Sequence, residues 1–181
     1  YAETLYVVKQ GQQRVPDSLL MVRLEGSLYQ SQDDKEKVET FYENIFLQYP
    51  EETVFLLDRA RWHWSKARPN KALQDLETLF KLDPENFEAH YLAGLIRIGI
   101  GEDEKALENL IKAGSLQDGH AEIWSHIANL WNRLGEPEKA LAAIRKALEL
   151  APESYPYLQQ YVNYLEARLD THQSETIACL L

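Results

Sequence analysis

The sequence predicts an all-α fold built from repeated pairs of amphipathic helices, and two observations support this. Four segments of the chain align at a constant spacing, starting at Leu19, Thr53, Phe87 and Ala121. In the most regular segment, apolar residues recur three and four positions apart in two stretches, which is the spacing of the buried face of an α-helix. A fixed period of about 34 residues indicates stacked structural repeats.

The fourth segment, "AEIWSHIANLWNRLGEPEKALAAIRKALELAPES", shows the two helices most clearly. The apolar residues of its first stretch are Ile123, Trp124, Ile127, Ala128 and Trp131. Those of its second stretch are Ala140, Leu141, Ile144, Ala147 and Leu148. Between the stretches, Gly135 can adopt the left-handed conformation of a helix cap, and Pro137 suits a first helical turn. The second stretch stops at Pro152.

The other three segments are less regular but remain in register. Their first stretches and that of the fourth segment share a small eighth residue: Gly26, Ala60, Gly94 and Ala128. The second stretches share another small position, at Val38, Ala72, Ala106 and Ala140, followed four residues later by Tyr42, Leu76, Leu110 and Ile144. Small residues allow two helices to cross closely. Ser18, Asn86 and Ser154 precede first stretches and are predicted N-caps.

The pattern resembles the signature of the tetratricopeptide repeat family. The fourth segment matches that signature with Trp124-x2-Ile127-Ala128-x2-Trp131, then Ala140-x3-Ile144, then Pro152. The resemblance implies a right-handed solenoid of antiparallel helix pairs, in which each pair buries its apolar face against its neighbours. Arg59 and Glu25 depart from the family pattern, because an apolar residue is expected before the small position.

The register extends past the four full repeats, so nearly the whole chain fits one continuous solenoid domain. Pro16 precedes Pro50 by one full period, and the residues before Pro16 therefore resemble the second helix of an earlier repeat. The expected divisions are a partial repeat at 1–18, full repeats at 19–52, 53–86, 87–120 and 121–154, and a partial fifth repeat or capping helix and tail at 155–181. The stretch "SETIACLL" either begins a further helix or forms a tail.

The composition argues against several classes of partner. The formal charge of −10 argues against a nucleic-acid backbone as the main partner, because phosphate binding needs clustered Lys and Arg. The single cysteine, Cys179, permits no intrachain disulfide and no multi-thiolate metal site. It fits a reducing compartment, which slightly favours the cytoplasm without excluding an extracytoplasmic domain. No apolar run approaches the length of a membrane span, so direct membrane insertion is not expected.

The start of the chain and the style of the repeats give two further expectations. The opening "YAETLYVVKQ" lacks the features of a signal peptide. Because the chain begins with Tyr1 and not with Met, we expect a fragment or a processed form of a longer protein. Repeats such as "EPEKALAAIRKALELAPES" resemble those of many bacterial members of the family, so we expect a bacterial source.

No pattern indicates catalysis, a cofactor or a metal. The five histidines are His63, His90, His120, His126 and His172, and none pair at a helical metal-binding spacing. The stretch "GIGEDEKA" is a turn between helices and not a phosphate-binding loop. We therefore expect a protein that is not an enzyme and that binds neither a cofactor nor a metal.

The stretch "RARWHWSKARPNKAL" is unusual because Trp62 and Trp64 flank His63 and five basic residues lie nearby. Successive residues of a helix are about 100° apart, so the two tryptophans point in different directions and form no common aromatic box. The resemblance implies that Trp62 packs between repeats and that His63 faces the partner helix. Trp64 is open to two interpretations, contact with a ligand in the groove or packing against a neighbour.

The resemblance also implies a concave groove lined by the second, fifth, ninth and twelfth residues of each first helix. Its centre is predicted to be apolar and its C-terminal part polar. The predicted partner-binding residues are Arg61, Trp64, Tyr91, Leu95, Ile98 and Asn129. Asn129 and Asn163 share the ninth position, where they form either a short ladder for a peptide backbone or a solvated polar face. Residues 171–181 could instead fold back into the groove.

Some members of the family clamp the C-terminal carboxylate of chaperone tails with Lys, Arg and Asn at fixed positions. The corresponding residues of this chain are Arg23, Ser27, Asp58, Glu88 and Leu92 or, one repeat later, Leu57, Arg61, Leu92, Glu122 and His126. Neither set supplies the cations that a carboxylate needs. No such clamp is expected.

These observations predict a non-enzymatic scaffold for protein–protein interaction, which binds a partner peptide, helix or subunit in its groove within a multiprotein assembly. Two alternatives remain open. The chain could be a structural spacer or a segment that self-associates into homo-oligomers through exposed solenoid ends. It could also be the docking or regulatory arm of an enzyme whose catalytic domain lies outside it.

Overall fold

The structure of the protein is a computed structural model that describes the backbone of residues 1–16, 18–32 and 34–180, and the side chains of those residues up to 169. The described residues form ten α-helices and no β-strand. The helices are α1 (Ala2–Arg14), α2 (Leu19–Ser31), α3 (Lys35–Gln48), α4 (Thr53–Ser65), α5 (Pro69–Leu82), α6 (Phe87–Ile100), α7 (Asp103–Leu116), α8 (Ala121–Arg133), α9 (Pro137–Leu150) and α10 (Tyr155–Leu180).

The helices repeat with the period that the sequence predicts. The even-numbered helices, called first helices below, begin at Leu19, Thr53, Phe87, Ala121 and Tyr155, each one full period after the last. The odd-numbered helices from α3 onward, called second helices, begin at Lys35, Pro69, Asp103 and Pro137, again one period apart. The prediction of an all-α solenoid of antiparallel helix pairs is therefore confirmed.

The backbone divides into two compact units. Unit 1 is Tyr1–Asp83 and contains α1 to α5, and unit 2 is Pro84–Leu181 and contains α6 to α10. The repeat boundaries given above, and the single continuous domain, remain predictions.

In both units the small positions mark the place where a first helix crosses its second helix. In unit 1, a Cβ atom added to Gly26 would lie 2.7 Å from the Phe41 ring, and in unit 2 one added to Gly94 would lie 2.6 Å from the Leu110 side chain. The alanines at the equivalent positions, Ala60 and Ala128, are fully buried. The small residues therefore set how closely the paired helices approach.

The core of unit 2 is mainly aliphatic. Its largest fully buried side chains are Ile96, Leu110, Ile123, Ile127, Leu130, Leu141 and Ile144. Burial of each such side chain contributes about 1.5–3 kcal/mol. The core extends to α10 through Tyr164, which is 6% exposed.

The core of unit 1 contains more aromatic side chains. Phe41 packs against Tyr29 and Tyr42 with ring centroids 5.5 and 5.3 Å apart. Phe55 and Trp62 of α4 belong to the same cluster and are 1% and 4% exposed. Offset and edge-to-face aromatic pairs of this kind add to the stabilisation that comes from burial.

Two of the three predicted N-caps are confirmed. The Ser18 side chain accepts a hydrogen bond from the Met21 backbone N–H at 3.4 Å, and the Asn86 side chain accepts one from Ala89 at 3.0 Å. Ser154 makes its contact through the backbone, since its carbonyl accepts from the Leu158 N–H at 3.0 Å. Asp34 caps α3 by accepting from the Lys37 N–H, which the sequence interpretation missed.

The turn between the two helices of a repeat uses a left-handed residue at one register position. Gly101 and Gly135 have φ of 79° and 75°, so the prediction for Gly135 is confirmed. Ala67 occupies the same position of the preceding repeat with φ of 53°. Glycine adopts this conformation without strain, whereas the Cβ of alanine is crowded by the following carbonyl oxygen.

Helix α10 is 26 residues long and continuous. The stretch "SETIACLL" therefore continues this helix up to Leu180, and no turn separates the two within the described backbone. The side chains of residues 170–181 lie outside the described residues, and so does the contact predicted between the tail and the groove. Among the described residues, none of the helices is both long enough and apolar enough to cross a membrane.

Candidate functional site

The six residues predicted to contact a partner lie on three first helices. In unit 1, Arg61 and Trp64 lie on α4, and in unit 2, Tyr91, Leu95 and Ile98 lie on α6 and Asn129 on α8. Arg61 and Asn129 are exposed, whereas the other four side chains are partly buried.

In unit 1, side chains of α2 and α4 at predicted groove positions surround an open pocket of about 330 Å³. Its walls include Leu20, Arg23, Ser27 and Arg61. Arg23 donates hydrogen bonds of 2.7 and 3.0 Å to the two carboxylate oxygens of Asp58. Nη1 of Arg61 lies 3.7 Å from the same carboxylate. One acid therefore orients two guanidinium groups beside the pocket.

The predictions for Trp62 and His63 are confirmed within unit 1. Trp62 belongs to the core, and His63 is 5% exposed, with its Nε2 3.8 Å from Oδ2 of Asp75 on α5. His63 thus faces the second helix of its own repeat. Trp64 is partly buried, and both interpretations of it remain predictions.

The two departures from the family pattern, Arg59 and Glu25, are accommodated by polar pairs. Asp75 is 4% exposed and accepts hydrogen bonds from Nε and Nη2 of Arg59, whose guanidinium lies 4.3 Å from the centre of the Phe46 ring. Glu25 accepts hydrogen bonds from Gln12 at 2.9 Å and from the Tyr29 hydroxyl at 2.8 Å. The charged groups of Arg59 and Glu25 therefore have hydrogen-bond partners at positions where the family pattern has an apolar side chain.

The buried cluster around Asp75 has opposing effects on His63. Burial is the largest effect and lowers the pKa of His63, the charge of Asp75 raises it, and the charge of Arg59 lowers it again. The net direction is downward. The structure therefore favours a neutral imidazole between α4 and α5.

In unit 2, Tyr91 connects α6 to α8. Its ring stacks on Phe87 with centroids 6.2 Å apart and lies 6.5 Å from the ring of His126. Burial raises the pKa of Tyr91 to about 12, and the charge of the nearby Glu122 acts in the same direction. Tyr91 therefore remains a neutral donor at physiological pH.

Leu95 and Ile98 follow Tyr91 along α6 at spacings of four and three residues, which places all three in one row on the helix. Ile98 and Tyr91 pack partly against the core of unit 2. All three side chains are partly buried, so part of each remains in contact with solvent. The row is an apolar strip that is both supported by the core and accessible.

The polar part of the surface is connected from α8 to α10. The Tyr164 hydroxyl donates a 2.6 Å hydrogen bond to Oδ1 of Asn129, and Oγ of Ser125 donates one of 2.7 Å to Oε1 of Gln160. Gln160 also donates to the Tyr164 hydroxyl at 2.8 Å. Asn163 accepts a hydrogen bond of 3.1 Å from Gln159. Both asparagines of the predicted ladder therefore use their carbonyl oxygen within the protein.

Sequence reasoning missed Tyr164 and Gln160, although the register contained a signal for them. Ser125 and Gln160, and likewise Asn129 and Tyr164, are 35 residues apart, which is one repeat plus one residue. A search for polar residues 35 positions apart on successive first helices would therefore have predicted both contacts.

In the part of unit 2 whose side chains the structure describes, every arginine of the first helices forms an ion pair. Arg97 lies 3.7 Å from Glu102, Arg133 2.7 Å from Asp103, and Arg168 3.4 Å from Glu138. Each of these ion pairs joins a first helix to the N-terminal end of a second helix, α7 or α9, or to the residue preceding it. Among the described residues there is also no group of three His, Cys, Asp or Glu that could hold a metal ion.

Three solved structures illustrate the fold. The MamA protein has a TM-score of 0.72 at 20% identity, covering 93% of this chain and 84% of that chain. YrrB, described as "a TPR protein with an unusual peptide-binding site", has a TM-score of 0.66 at 17% identity, covering 86% and 80%. The first TPR of Spaghetti (RPAP3), bound to the HSP90 peptide SRMEEVD, has a TM-score of 0.61 at 14% identity, covering 65% and 94%.

No curated protein matches the sequence significantly. A family model described as "Tetratricopeptide repeat" matches residues 19–176, which is most of the chain. This match agrees with the ten helices and their constant period. The chain belongs to the tetratricopeptide repeat family.

Proposed function

We propose that the chain is a scaffold that binds a partner peptide, helix or subunit on the surface of its first helices, within a multiprotein assembly. Tetratricopeptide repeat proteins are typically protein–protein interaction scaffolds and usually non-enzymatic. Two of the similar structures are described with a peptide-binding site or a bound peptide, which supports this class of partner.

One observation carries the proposal. Unit 2 keeps Tyr91, Leu95 and Ile98 in a row that remains partly exposed, beside polar side chains that hydrogen bonds hold between α8 and α10. An apolar strip with a polar border is the composition of an interface that buries a peptide. We assign partner contact to these three residues and to the amide nitrogen of Asn129. In unit 1 we assign it to Arg61, at its pocket, and to Trp64.

The test is a selection of random peptides displayed on phage against the immobilised chain, followed by measurement of affinities in solution. Leu95→Glu places a charge in the strip and is expected to weaken the selected peptides at least tenfold. Ile111→Glu is the matched control, since Ile111 is 43% exposed on the second helix α7. Circular dichroism confirms that both variants remain helical. Equal affinities for the two variants would place binding elsewhere.

A second candidate, self-association or a spacer role, is favoured by the exposed face of α10. Val162 is 44% exposed, although it occupies the register position of Gly26, Ala60, Gly94 and Ala128, all of which are buried. Leu158, one turn earlier, is also 44% exposed. Light scattering over a range of concentrations distinguishes the candidates, because self-association through this face gives a mass that rises with concentration and falls in Val162→Glu.

A further inference from the structure

The side chain of Glu122 is placed to accept a ligand. It lies in the first turn of α8, where the helix dipole stabilises a negative charge, and it is 66% exposed. Nε2 of His126 lies 3.7 Å from its Oε1, and its charge contributes, after burial, to the raised pKa of the neighbouring Tyr91. A carboxylate accepts about four hydrogen bonds, and a side chain that is 66% exposed has acceptor positions open to solvent.

Aromatic side chains from three helices lie near this carboxylate or interact with its charge. Tyr91 comes from α6, His126 from α8 and Tyr157 from α10. The rings of Tyr91 and His126 have centroids 6.5 Å apart, and the charge of Glu122, after burial, raises the pKa of Tyr157. Aromatic faces attract cations, and the attraction adds to that of a carboxylate. The combination matches the chemistry of a lysine or arginine side chain.

No lysine or arginine of the described first helices in unit 2 is paired with Glu122. Arg97, Arg133 and Arg168, the arginines of the described first helices in unit 2, are each paired with a different acid, and these helices contain no lysine up to residue 169. The surrounding charge acts in the same direction. Residues 84–181 contain 15 Asp and Glu against 8 Lys and Arg, a formal charge of −7. Such a field attracts a basic segment and repels an acidic one.

The spacing of the apolar strip along α6 matches that of an extended peptide. Leu95 lies one turn along α6 from Tyr91, the neighbour of Glu122, and this turn is about 6 Å along the helix axis. In an extended peptide, residues i and i+2 point to the same side and lie about 6.6 Å apart. A peptide that runs along α6, with a basic side chain directed to Glu122 beside Tyr91, can therefore place a large apolar side chain, two positions away, on Leu95.

We propose that the first-helix surface of unit 2 binds peptides in which a Lys or Arg, held by Glu122, lies two residues from a large apolar residue that contacts Leu95. The proposal rests on the peptide-binding function proposed above and names the class of partner. It assigns to Glu122 the specificity for positive charge and to Leu95 the contribution of apolar burial.

The test uses the full chain and the same random-peptide selection at pH 8, where an ordinary histidine is neutral. Peptides selected by the wild type are expected to be enriched in Lys or Arg two positions from Leu, Ile, Phe or Met. Their affinity is expected to fall about tenfold in Glu122→Gln, which keeps the size of the side chain and removes its charge. Glu149→Gln, at an exposed position of α9, is the matched control and is expected to have no effect.

The outcomes separate this inference from the proposed function. Peptides that require Leu95 but show no basic preference, or that bind Glu122→Gln as tightly as the wild type, would overturn the inference and leave the proposed function intact. If no selected peptide depends on Leu95, the proposed function fails and the inference fails with it. Basic peptides that bind Glu122→Gln tenfold more weakly, but Glu149→Gln normally, support both.

Discussion

The hydroxyl of Tyr164 donates a 2.6 Å hydrogen bond to Oδ1 of Asn129, and through it α10 is held to α8 by a polar contact. The same offset of 35 residues recurs in both units, since Arg23 pairs with Asp58 and Ser125 with Gln160. In each pair, a residue of one first helix therefore contacts a residue of the next first helix that lies one position beyond the equivalent place in the repeat. For Asn129, the consequence is that one acceptor position of its oxygen is used within the protein, while its amide nitrogen can donate to a peptide backbone.

We expect Tyr164→Phe to destabilise the protein by about 1 kcal/mol. Tyr164 is 6% exposed, and its hydroxyl takes part in two partly buried hydrogen bonds, to Asn129 and from Gln160, both of which the substitution removes. Urea denaturation followed by circular dichroism measures the change. Tyr155→Phe is the control, because Tyr155 is 72% exposed and its loss of a hydroxyl is expected to change stability by less than about 0.5 kcal/mol. Equal effects of the two variants would refute this role for Tyr164.

Ala67→Gly is expected to stabilise the protein by about 0.5–1 kcal/mol. Ala67 has φ of 53°, in a register position where Gly101 and Gly135 adopt 79° and 75°. Glycine removes the steric cost of the left-handed conformation. This gain in free energy is larger than the loss that comes from the greater conformational entropy of glycine in the unfolded chain. Thermal and urea unfolding measure the gain.

The control for that prediction is Ala142→Gly, at an exposed position inside α9. There the same substitution is expected to destabilise by about 1 kcal/mol, because the helical conformation suits alanine. Two changes of the same sign would show that Ala67 is not strained.

Gly94→Ala is expected to destabilise the protein by about 1–3 kcal/mol, although alanine is the better helix former. The added Cβ would lie 2.6 Å from Leu110, which is fully buried and has no space into which to move. Gly119→Ala provides the comparison, since nothing lies within 4 Å of the added atom. Urea denaturation that shows no loss for Gly94→Ala would mean that the helices of this repeat can separate at little cost.

The protein is expected to become less stable as the pH decreases below about 6.5, partly because of His63. Its folded-state pKa lies below the unfolded value, mainly through burial, so the unfolded chain binds the proton more readily. The stabilisation is present above the unfolded pKa and decreases as the pH falls through it.

The measurement for His63 is the free energy of unfolding at pH 8 and at pH 5.5, in the wild type and in His63→Phe. The difference between the two pH values is expected to be smaller in the variant, whatever its absolute stability. His120→Asn, at an exposed position, is expected to keep the wild-type difference. If His63→Phe showed the same difference in the free energy of unfolding between pH 8 and pH 5.5 as the wild type, His63 would be excluded as a source of the pH dependence.

The acidic peptide SRMEEVD, which the first TPR of Spaghetti binds, is expected not to bind this chain detectably. The positions that would clamp its terminal carboxylate hold, among others, Asp58 and Glu88, and Arg23 is already hydrogen-bonded to Asp58. Fluorescence anisotropy with a labelled peptide measures the affinity. Binding that is abolished by removal of the terminal carboxylate would show that other residues form a clamp.

The sequence by itself determined the helix pairs, their register and the residues of the core. A constant period repeats the same turn and the same buried face, so the small residues at the helix crossings could be identified from spacing alone. The paired helices pack closely only if those positions are small, and this requirement is local to each repeat. The caps at Ser18 and Asn86 and the left-handed Gly135 follow from equally local chemistry.

Only the tertiary structure decided which polar side chains meet. Arg59 can replace an apolar residue because it is hydrogen-bonded to Asp75. Glu25 can do so because it accepts hydrogen bonds from Gln12 and Tyr29. Helix periodicity states which face a residue lies on, but not how far one helix is shifted along the next. That shift, about one residue beyond the repeat, brings Tyr164 to Asn129 and His126 to Tyr91, and it is set by the packing of whole helices.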